Sequence, residues 1–434
     1  MGFDFNPTQT ESTEYKNKRI TVDNKYLKKC QIKNIEDYIT EDCVLYLDCD
    51  SIPYFAASLQ DENYIVAKHI KSGNEKEFKN KTEFKGAGKK AGSISKSSWL
   101  GVKNLEMEAA GKTPFTLDDF EITQHKRLKR SKEESIVNIQ NYIDDYLSSI
   151  LKQSGCKSLV VILGRGVTFR HSVKLPEVYK GNRDQERPIL LPEARKYILD
   201  NYEYIYVGDE SLLEADDVAQ QKGFEGYKNY RKTGKFDKMI ASFDKDARGS
   251  PCLLFNYQKK GPFWEYPNPW LIEATDRSIG FLEMHDGECK ATGLLQKAYQ
   301  LLTNDSSDNY YFYLRFDKSM HPSTPYSDAS FYKEFCLCKT PEDVLSKVVN
   351  RFYETFPSGL KYVSWDGEEM DIDTLSWAEM LFSCVHMKLA DNDNSTFEKL
   401  CNRYNVSVEK IKGNNIDLST ENDDNTTVEE NGDG

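Results

Sequence analysis

The stretch with the most chemical potential is Leu212-Leu213-Glu214-Ala215-Asp216-Asp217-Val218-Ala219, with three carboxylates in four positions between apolar flanks. On a helix Glu214 and Asp217 are three apart and share a face, with Asp216 near its edge. Burying like charges this close costs several kcal/mol unless a cation compensates. Hard, oxygen-seeking Mg²⁺, or Mn²⁺ in its place, is suited to that role. The plainer alternative is an acidic first turn complementing the helix dipole. What separates the two readings is the company the motif keeps. The apolar run Leu45-Tyr46-Leu47 ends in Asp48, with Asp50 two residues on as a possible accessory ligand. Ile240-Ala241-Ser242-Phe243 ends in Asp244, followed by Asp246, and Asn304-Asp305-Ser306-Ser307-Asp308-Asn309 adds a further pair.

Between these acidic groups lies Tyr179-Lys180-Gly181-Asn182-Arg183-Asp184. If this segment is helical, Lys180 and Arg183 project from one face. Arginine suits a bidentate phosphate contact, and lysine acts as a point charge. No Ser/His/Asp or Cys/His set is evident, and the six histidines are dispersed without an HExxH motif. An all-carboxylate set suits two-metal phosphodiester hydrolysis, with ions about 3.5–4 Å apart.

The order of these motifs resembles that of the phage and bacterial 5′-nucleases: flap endonucleases, 5′–3′ exonucleases and the 5′-nuclease domain of bacterial DNA polymerase I. YKGNRD, EADD, the strand-terminal D-x-D and D-x-x-D-N follow in that family's order over roughly residues 40–390. The resemblance implies a PIN-like fold and a metal-dependent 5′–3′ exonuclease or flap endonuclease. Its substrate would be DNA or RNA–DNA with a 5′ end or flap, including RNA primers removed in ribonuclease H fashion, with replication proteins as further partners. It implies two Mg²⁺ ions held by Asp48, Glu214, Asp216, Asp217, Asp244, Asp246, Asp305 and Asp308. The EADD group with Asp48 would serve the first ion and the later pairs the second. Lys180 and Arg183 would steer the scissile phosphate and stabilise transition-state charge. Two departures stand out. Arg165 occupies a place where many members carry an Asp, and Tyr310-Tyr311-Phe312-Tyr313-Leu314-Arg315-Phe316 replaces the glycines of the duplex-gripping helix–hairpin–helix. Arg165, Arg170 and Tyr179 are therefore candidate nucleic-acid contacts, with pairing of Arg170 to a carboxylate as its alternative.

Positioning these groups requires alternating strands and helices. Strands are expected at 43–48, 159–163, 204–207, 239–243 and 252–256, and helices at 133–152, 188–200, from the EADD motif onward, 293–303, 341–356 and 374–389. That rhythm predicts an α/β fold, a mainly parallel sheet flanked by helices. An N-terminal arm (1–40), an α/β domain (41–290), a small helical C-terminal lobe (291–412) and a disordered acidic tail (413–434) make up the expected organisation. A lysine-rich insertion (64–130) interrupts the α/β rhythm, with a hairpin at 64–74 and Phe78, Phe84 and Trp99 interleaved as stacking options. Its second basic block, Lys126-Arg127-Leu128-Lys129-Arg130, is read as a phosphate-tracking surface, with a solvated face as the alternative. The segment 227–235 reads as a basic connector, and 257–290 as aromatic covering structure around Phe263, Trp264, Tyr266 and Trp270.

The 434 residues carry a net charge of −12 and ten cysteines without a CxxC pair. A reduced, cytoplasmic protein without zinc ribbon, leader or membrane span is expected. Acidity overall does not exclude nucleic acid, because basic patches act locally. A catalytically inactive nucleic-acid-binding relative is the main alternative. A PIN-type ribonuclease would account for the carboxylates but not for YKGNRD.

Overall fold

The computed structural model describes residues 32, 34–88, 92–183, 186–257, 269–275, 278–285, 287–313 and 326–413. The expected arm before residue 32, Lys89, Lys90, Asp184, Phe263, Trp264, Tyr266, Leu314-Arg315-Phe316 and the tail from 414 lie outside the described residues. Its chain begins with β1 (Ile39–Asp48) and α1 (Ser51–Ser58), followed by β2 (Asp61–His69), β3 (Glu75–Phe78), α2 (Lys81–Lys85), α3 (Trp99–Ala109) and β4 (Phe120–Leu128). The long helix α4 (Lys132–Ser154) leads to β5 (Ser158–Gly164), α5 (Leu191–Asn201), β6 (Tyr204–Val207), α6 (Ala215–Thr233), β7 (Phe236–Ala241) and β8 (Cys252–Phe255). Three short strands follow, β9 (Trp270–Ile272), β10 (Leu282–His285) and β11 (Glu288–Ala291), then α7 (Gly293–Leu302), α8 (Asp328–Phe335) and α9 (Pro341–Thr355). A last hairpin, β12 (Leu360–Val363) and β13 (Glu369–Ile372), precedes α10 (Thr374–Val385) and α11 (Phe397–Arg403).

The chain divides into two units. One contains the described residues of Met1–Asp48, Ile150–Asp184 and Tyr204–Gly434; the other contains Cys49–Ser149 and Gln185–Glu203. This division differs from the one expected. The C-terminal helices join the α/β sheet in one unit, and the separate unit is larger than the lysine-rich insertion.

The first unit carries a six-stranded sheet in the order β6-β5-β1-β7-β8-β9. β1 pairs in parallel with β5 and β7, and only the edge strand β9 runs antiparallel. Strand order therefore reverses at β1, with β5 and β6 built to one side and β7 and β8 to the other. Open α/β sheets bind ligands outside the carboxyl ends of their strands at such a reversal. Asp48, the last residue of β1, lies at that point. The mixed α/β architecture expected from the sequence is present.

Helix α6 carries the EADD motif and runs along β7 through Gly223 and Gly226. A Cβ on Gly226 would lie 2.4 Å from the Lys238 carbonyl oxygen, and one on Gly223 would lie 2.9 Å from Cys252 Cβ. Two interior glycines cost a free helix about 1 kcal/mol each, which close seating on the sheet offsets. The expected connector at 227–235 is mostly helix, because Tyr227 and Tyr230 keep their rings toward Phe236; Gly234, at φ 80°, ends it. The C-terminal helices close a large core around Trp377, Phe352, Phe331 and Leu381, which also takes in Tyr179.

In the second unit the expected hairpin is real: β2 pairs antiparallel with β3, and β4 completes a three-stranded sheet. Phe78, Phe84 and Trp99 are not exposed stacking groups. Their rings pack with Phe120 into that unit's own core.

Replacing Gly226 with Ala is expected to lower stability by about 1–3 kcal/mol in urea unfolding, because the added methyl meets a backbone carbonyl that cannot move aside. A gain in stability, as helix propensity alone would give, would contradict this packing.

Candidate active site

The N-terminus of α6 is pinned by a buried ion pair. Arg170 is fully buried, and its two terminal nitrogens donate to the two Asp217 oxygens at 2.7 and 2.8 Å. Asp217 also accepts from the backbone N–H of Glu214 and of Lys388, each at 2.9 Å. Arg170 further donates to the carbonyls of Cys384 and His386, tying the C-terminal helices to α6. Burial alone would raise the Asp217 carboxyl, but the Arg170 hydrogen bonds hold it below the usual carboxylate range. Both expectations for this pair are corrected. Asp217 has its oxygens committed to four donors and serves as an anchor rather than a cation ligand. Arg170 has no surface to offer a nucleic acid, and its alternative reading, pairing with a carboxylate, is the observed one.

The YKGNR segment is a turn, not a helix: Lys180 has φ 56°, a left-handed value uncommon for residues other than glycine. The turn locks onto the DSSDN turn, where Asn309 has φ 60°. Lys180 N–H donates to Asp308 O at 2.9 Å, Asn182 Nδ2 to Ser306 O at 2.6 Å, and Asn309 Nδ2 to Val178 O at 2.9 Å. The Tyr179 hydroxyl donates to Asp308 Oδ2 at 2.9 Å, and Arg183 Nη2 to Asp308 Oδ1 at 2.7 Å. Lys180 Nζ lies 2.9 Å from Glu214 Oε1. Lys180 and Arg183 thus reach the carboxylates through the turn rather than from a shared helical face. Tyr179 is buried, a correction to its reading as a strand contact.

The remaining carboxylates converge at the carboxyl ends of β1 and β7. Desolvation first, and then the charges of Asp48 and Asp244, push the Asp216 carboxyl well above the usual range, with Lys180 opposing. Burial, followed by Asp244 and Asp308, does the same to Asp246, with Lys245 opposing. Asp244 is common to both groups. It also accepts the Asp246 backbone N–H at 3.0 Å, while Gln300 Nε2 donates to Asp246 Oδ1 at 2.5 Å. Lys245 Nζ lies 2.6 Å from Asp305 Oδ2, whose other oxygen accepts from Ser307. The Tyr310 hydroxyl is buried without a hydrogen-bond partner among the described residues, and nearby Asp305, Asp246 and Asp308 add to the burial that raises it.

This is an all-oxygen donor set with more negative charge than its two lysines neutralise, the chemistry that suits a hard divalent cation. As it stands, no group of three or more His, Cys, Asp or Glu among the described residues is arranged to hold a metal ion. Lys180, Lys245 and Gln300 engage Glu214, Asp305 and Asp246 there instead.

Lys245, Gln300 and Tyr310 were not singled out from the sequence. Signals existed: a lysine between two aspartates, a glutamine pair (Gln296, Gln300) in a mostly apolar helix, and a tyrosine directly after DSSDN. Elsewhere, Arg165 is exposed, its backbone N–H bound to Val207 O at 2.9 Å. Asp50, in the second unit, pairs with Arg195 at 2.7 Å. In the basic block of that unit the Lys126 side chain is only 9% exposed, with Nζ donating to the carbonyls of Glu186 and Arg187. It secures a loop and is not a phosphate-tracking group. Arg127 pairs with Glu62 and Glu77, and Lys129 and Arg130 are exposed.

No protein-family model matches the chain, and no curated protein matches it. Among solved structures the fold is similar to a mutant of T5 5′-exonuclease, with a TM-score of 0.33 and 13% identity, over 61% of this chain and 91% of that one. A likeness of that size transfers neither function nor residue roles. Among the described residues no helix is long and apolar enough to cross a membrane.

The two adjacent aspartates are expected to respond in opposite ways. In urea unfolding with EDTA, Arg170→Met leaves Asp217 buried and unpaired and loses about 3–5 kcal/mol. Asp216→Asn relieves repulsion and gains about 0.5–2 kcal/mol. Equal losses in both variants would contradict this division of roles.

Proposed function

We propose that this chain is a metal-dependent phosphodiester hydrolase acting at 5′ ends or flaps of DNA or RNA–DNA, including RNA primers, as a 5′–3′ exonuclease or flap endonuclease. The observation that carries the reading is the convergence of Asp48, Asp216, Asp244 and Asp246 at the strand-order reversal, with Lys180 held against Glu214 and Arg183 against Asp308 by the turn at 179–183. Asp48, Asp216 and Asp244 are the residues that would hold one Mg²⁺ or Mn²⁺ ion. Asp244, Asp246 and, through water, Asp305 and Asp308 would hold the second. Bound there, such ions supply an activated water at neutral pH and neutralise charge on the leaving oxygen.

The protein's own groups do the positioning. Lys180 exchanges its contact with Glu214 for a non-bridging phosphate oxygen, and Arg183 offers a second, planar contact from the same turn. Both add positive charge where the transition state gains negative charge. Glu214, released from Lys180, would remain at the N-cap of α6 as a further oxygen donor beside these aspartates. Asp217 with Arg170 keeps the α6 terminus in place and does not touch the substrate. Exposed Arg165, at the carboxyl end of β5, is a candidate contact for the strand beyond the scissile bond.

The inactive nucleic-acid-binding reading draws on the ion pairs Lys180–Glu214 and Lys245–Asp305, which neutralise part of the carboxylate set without metal. Cleavage of a 5′-labelled flap duplex and an RNA-primed duplex separates the two. Short 5′ products in Mg²⁺, absent in EDTA and reduced at least a thousandfold in Asp216→Asn, are expected. Binding of both substrates without cleavage in Mg²⁺ or Mn²⁺ would favour the inactive relative.

A further inference from the structure

A cavity of 530 Å³ lies within the first unit, lined by α6, α7, α10 and the chain from Leu389 to Tyr404. Its size falls inside the range of about 300–1,000 Å³ usual for small-ligand sites. Arg231, Lys297, Lys399 and Arg403 line it together with His386, and no Asp or Glu stands among its lining residues. In a chain of net charge −12 such a concentration of cations is a local inversion, and a concave one focuses an anion.

Neutral groups are among the partners of the cations at the rim. Lys399 Nζ donates to the Asn394 carbonyl at 2.8 Å, Arg403 lies over the Tyr404 ring at 5.4 Å, and Arg231 Nη1 lies 3.5 Å from the Tyr227 hydroxyl. Glu273, outside the lining, is the acidic group whose charge reaches Arg231 and Tyr227.

The floor provides an independent pointer. Lys297 Nζ lies 3.0 Å from His386 Nδ1, and His386 Nε2 lies 3.1 Å from Asp393 Oδ2. A lysine donating to Nδ1 requires the proton on Nε2, so His386 is neutral and the lysine meets a ring rather than a carboxylate. Asp393 is occupied beyond it by the backbone N–H groups of Leu389 and Ser395. Burial lowers the Lys297 ammonium to about 8, and burial with the Lys297 charge lowers His386 to about 4. The cavity floor thus holds a lysine on which the charge of Asp393 acts only across a neutral ring. Between floor and rim the walls are apolar and aromatic, from Phe224, Leu294, Phe382 and Leu400.

We propose that this cavity binds a nucleotide, its phosphate drawn by the cations of the lining and its base against the aromatic wall, at a site separate from the carboxylate crevice. The nucleotide is either free or the terminal residue of a strand.

Isothermal titration of the full chain in EDTA, with thymidine 5′-monophosphate, inorganic phosphate and thymidine as probes, tests this. The monophosphate is expected to bind at least tenfold more tightly than phosphate or thymidine alone. Lys399→Ala with Arg403→Ala, both exposed positions, and separately Lys297→Met should weaken it at least tenfold. Lys180→Ala with Arg183→Ala should leave it unchanged, which keeps this site distinct from the proposed active site. Displacement of the monophosphate by a 5′-phosphorylated trinucleotide would make a strand end the source, and failure to displace it would make the free nucleotide the source. No binding of the monophosphate, or binding insensitive to the cavity variants, would overturn the proposal.

Discussion

A single buried ion pair, Arg170 with Asp217, sets the geometry on which the rest of this site depends. Arg170 follows β5, Asp217 begins α6, and Cys384 and His386 close the end of α10, so one guanidinium joins the sheet, the motif helix and the C-terminal helices. A planar, permanently charged fork with five donors is the side chain that can do this, and lysine could not replace it. Desolvating such a pair is costly, and its contribution is to the specificity of the arrangement more than to net stability. With Asp217 so occupied, Glu214 and Asp216 are left as the carboxylates of this motif that face the crevice.

The second constraint is unbalanced charge. Asp48, Asp216, Asp244 and Asp246 are brought together by a strand-order reversal and not by local sequence, and the nearby lysines compensate them only in part. The carboxyls of Asp216 and Asp246 are driven toward their protonated forms. Folding accepts this repulsion because the framework around it is secure: α6 seated on β7 through its glycines, and two turns locked by reciprocal backbone and side-chain hydrogen bonds. Left-handed Lys180, Leu212 and Asn309 all lie in the segments that shape the crevice. Such backbone values persist only where the surroundings over-determine them.

Much of this was legible in the sequence. The strand-terminal position of Asp48, the helical start at EADD and the alternation of apolar runs follow from local periodicity, and the parallel sheet follows from the alternation. The division of labour within EADD was not legible, because the partner that claims Asp217 is 47 positions away and its local sequence leaves open a phosphate contact or a carboxylate pair. The spacing of Lys180 and Arg183 fits a helix or a turn, and only contact with the DSSDN turn decides. Lysine-rich segments are equally ambiguous. Phe78, Phe84 and Trp99 serve a private core, and Lys126 a loop, since interleaved aromatics and cations make a small core as readily as a stacking surface.

If the converging carboxylates form one site, they bind divalent cations as a linked set. The direct measurement is Mn²⁺ binding to the full chain, followed by electron paramagnetic resonance, in wild type and Asp244→Asn. Two bound ions in wild type, both weakened at least tenfold by loss of the one carboxylate common to the two groups, is the predicted result. No Mn²⁺ binding above that of a surface of this charge, or binding untouched by Asp244→Asn, would contradict it.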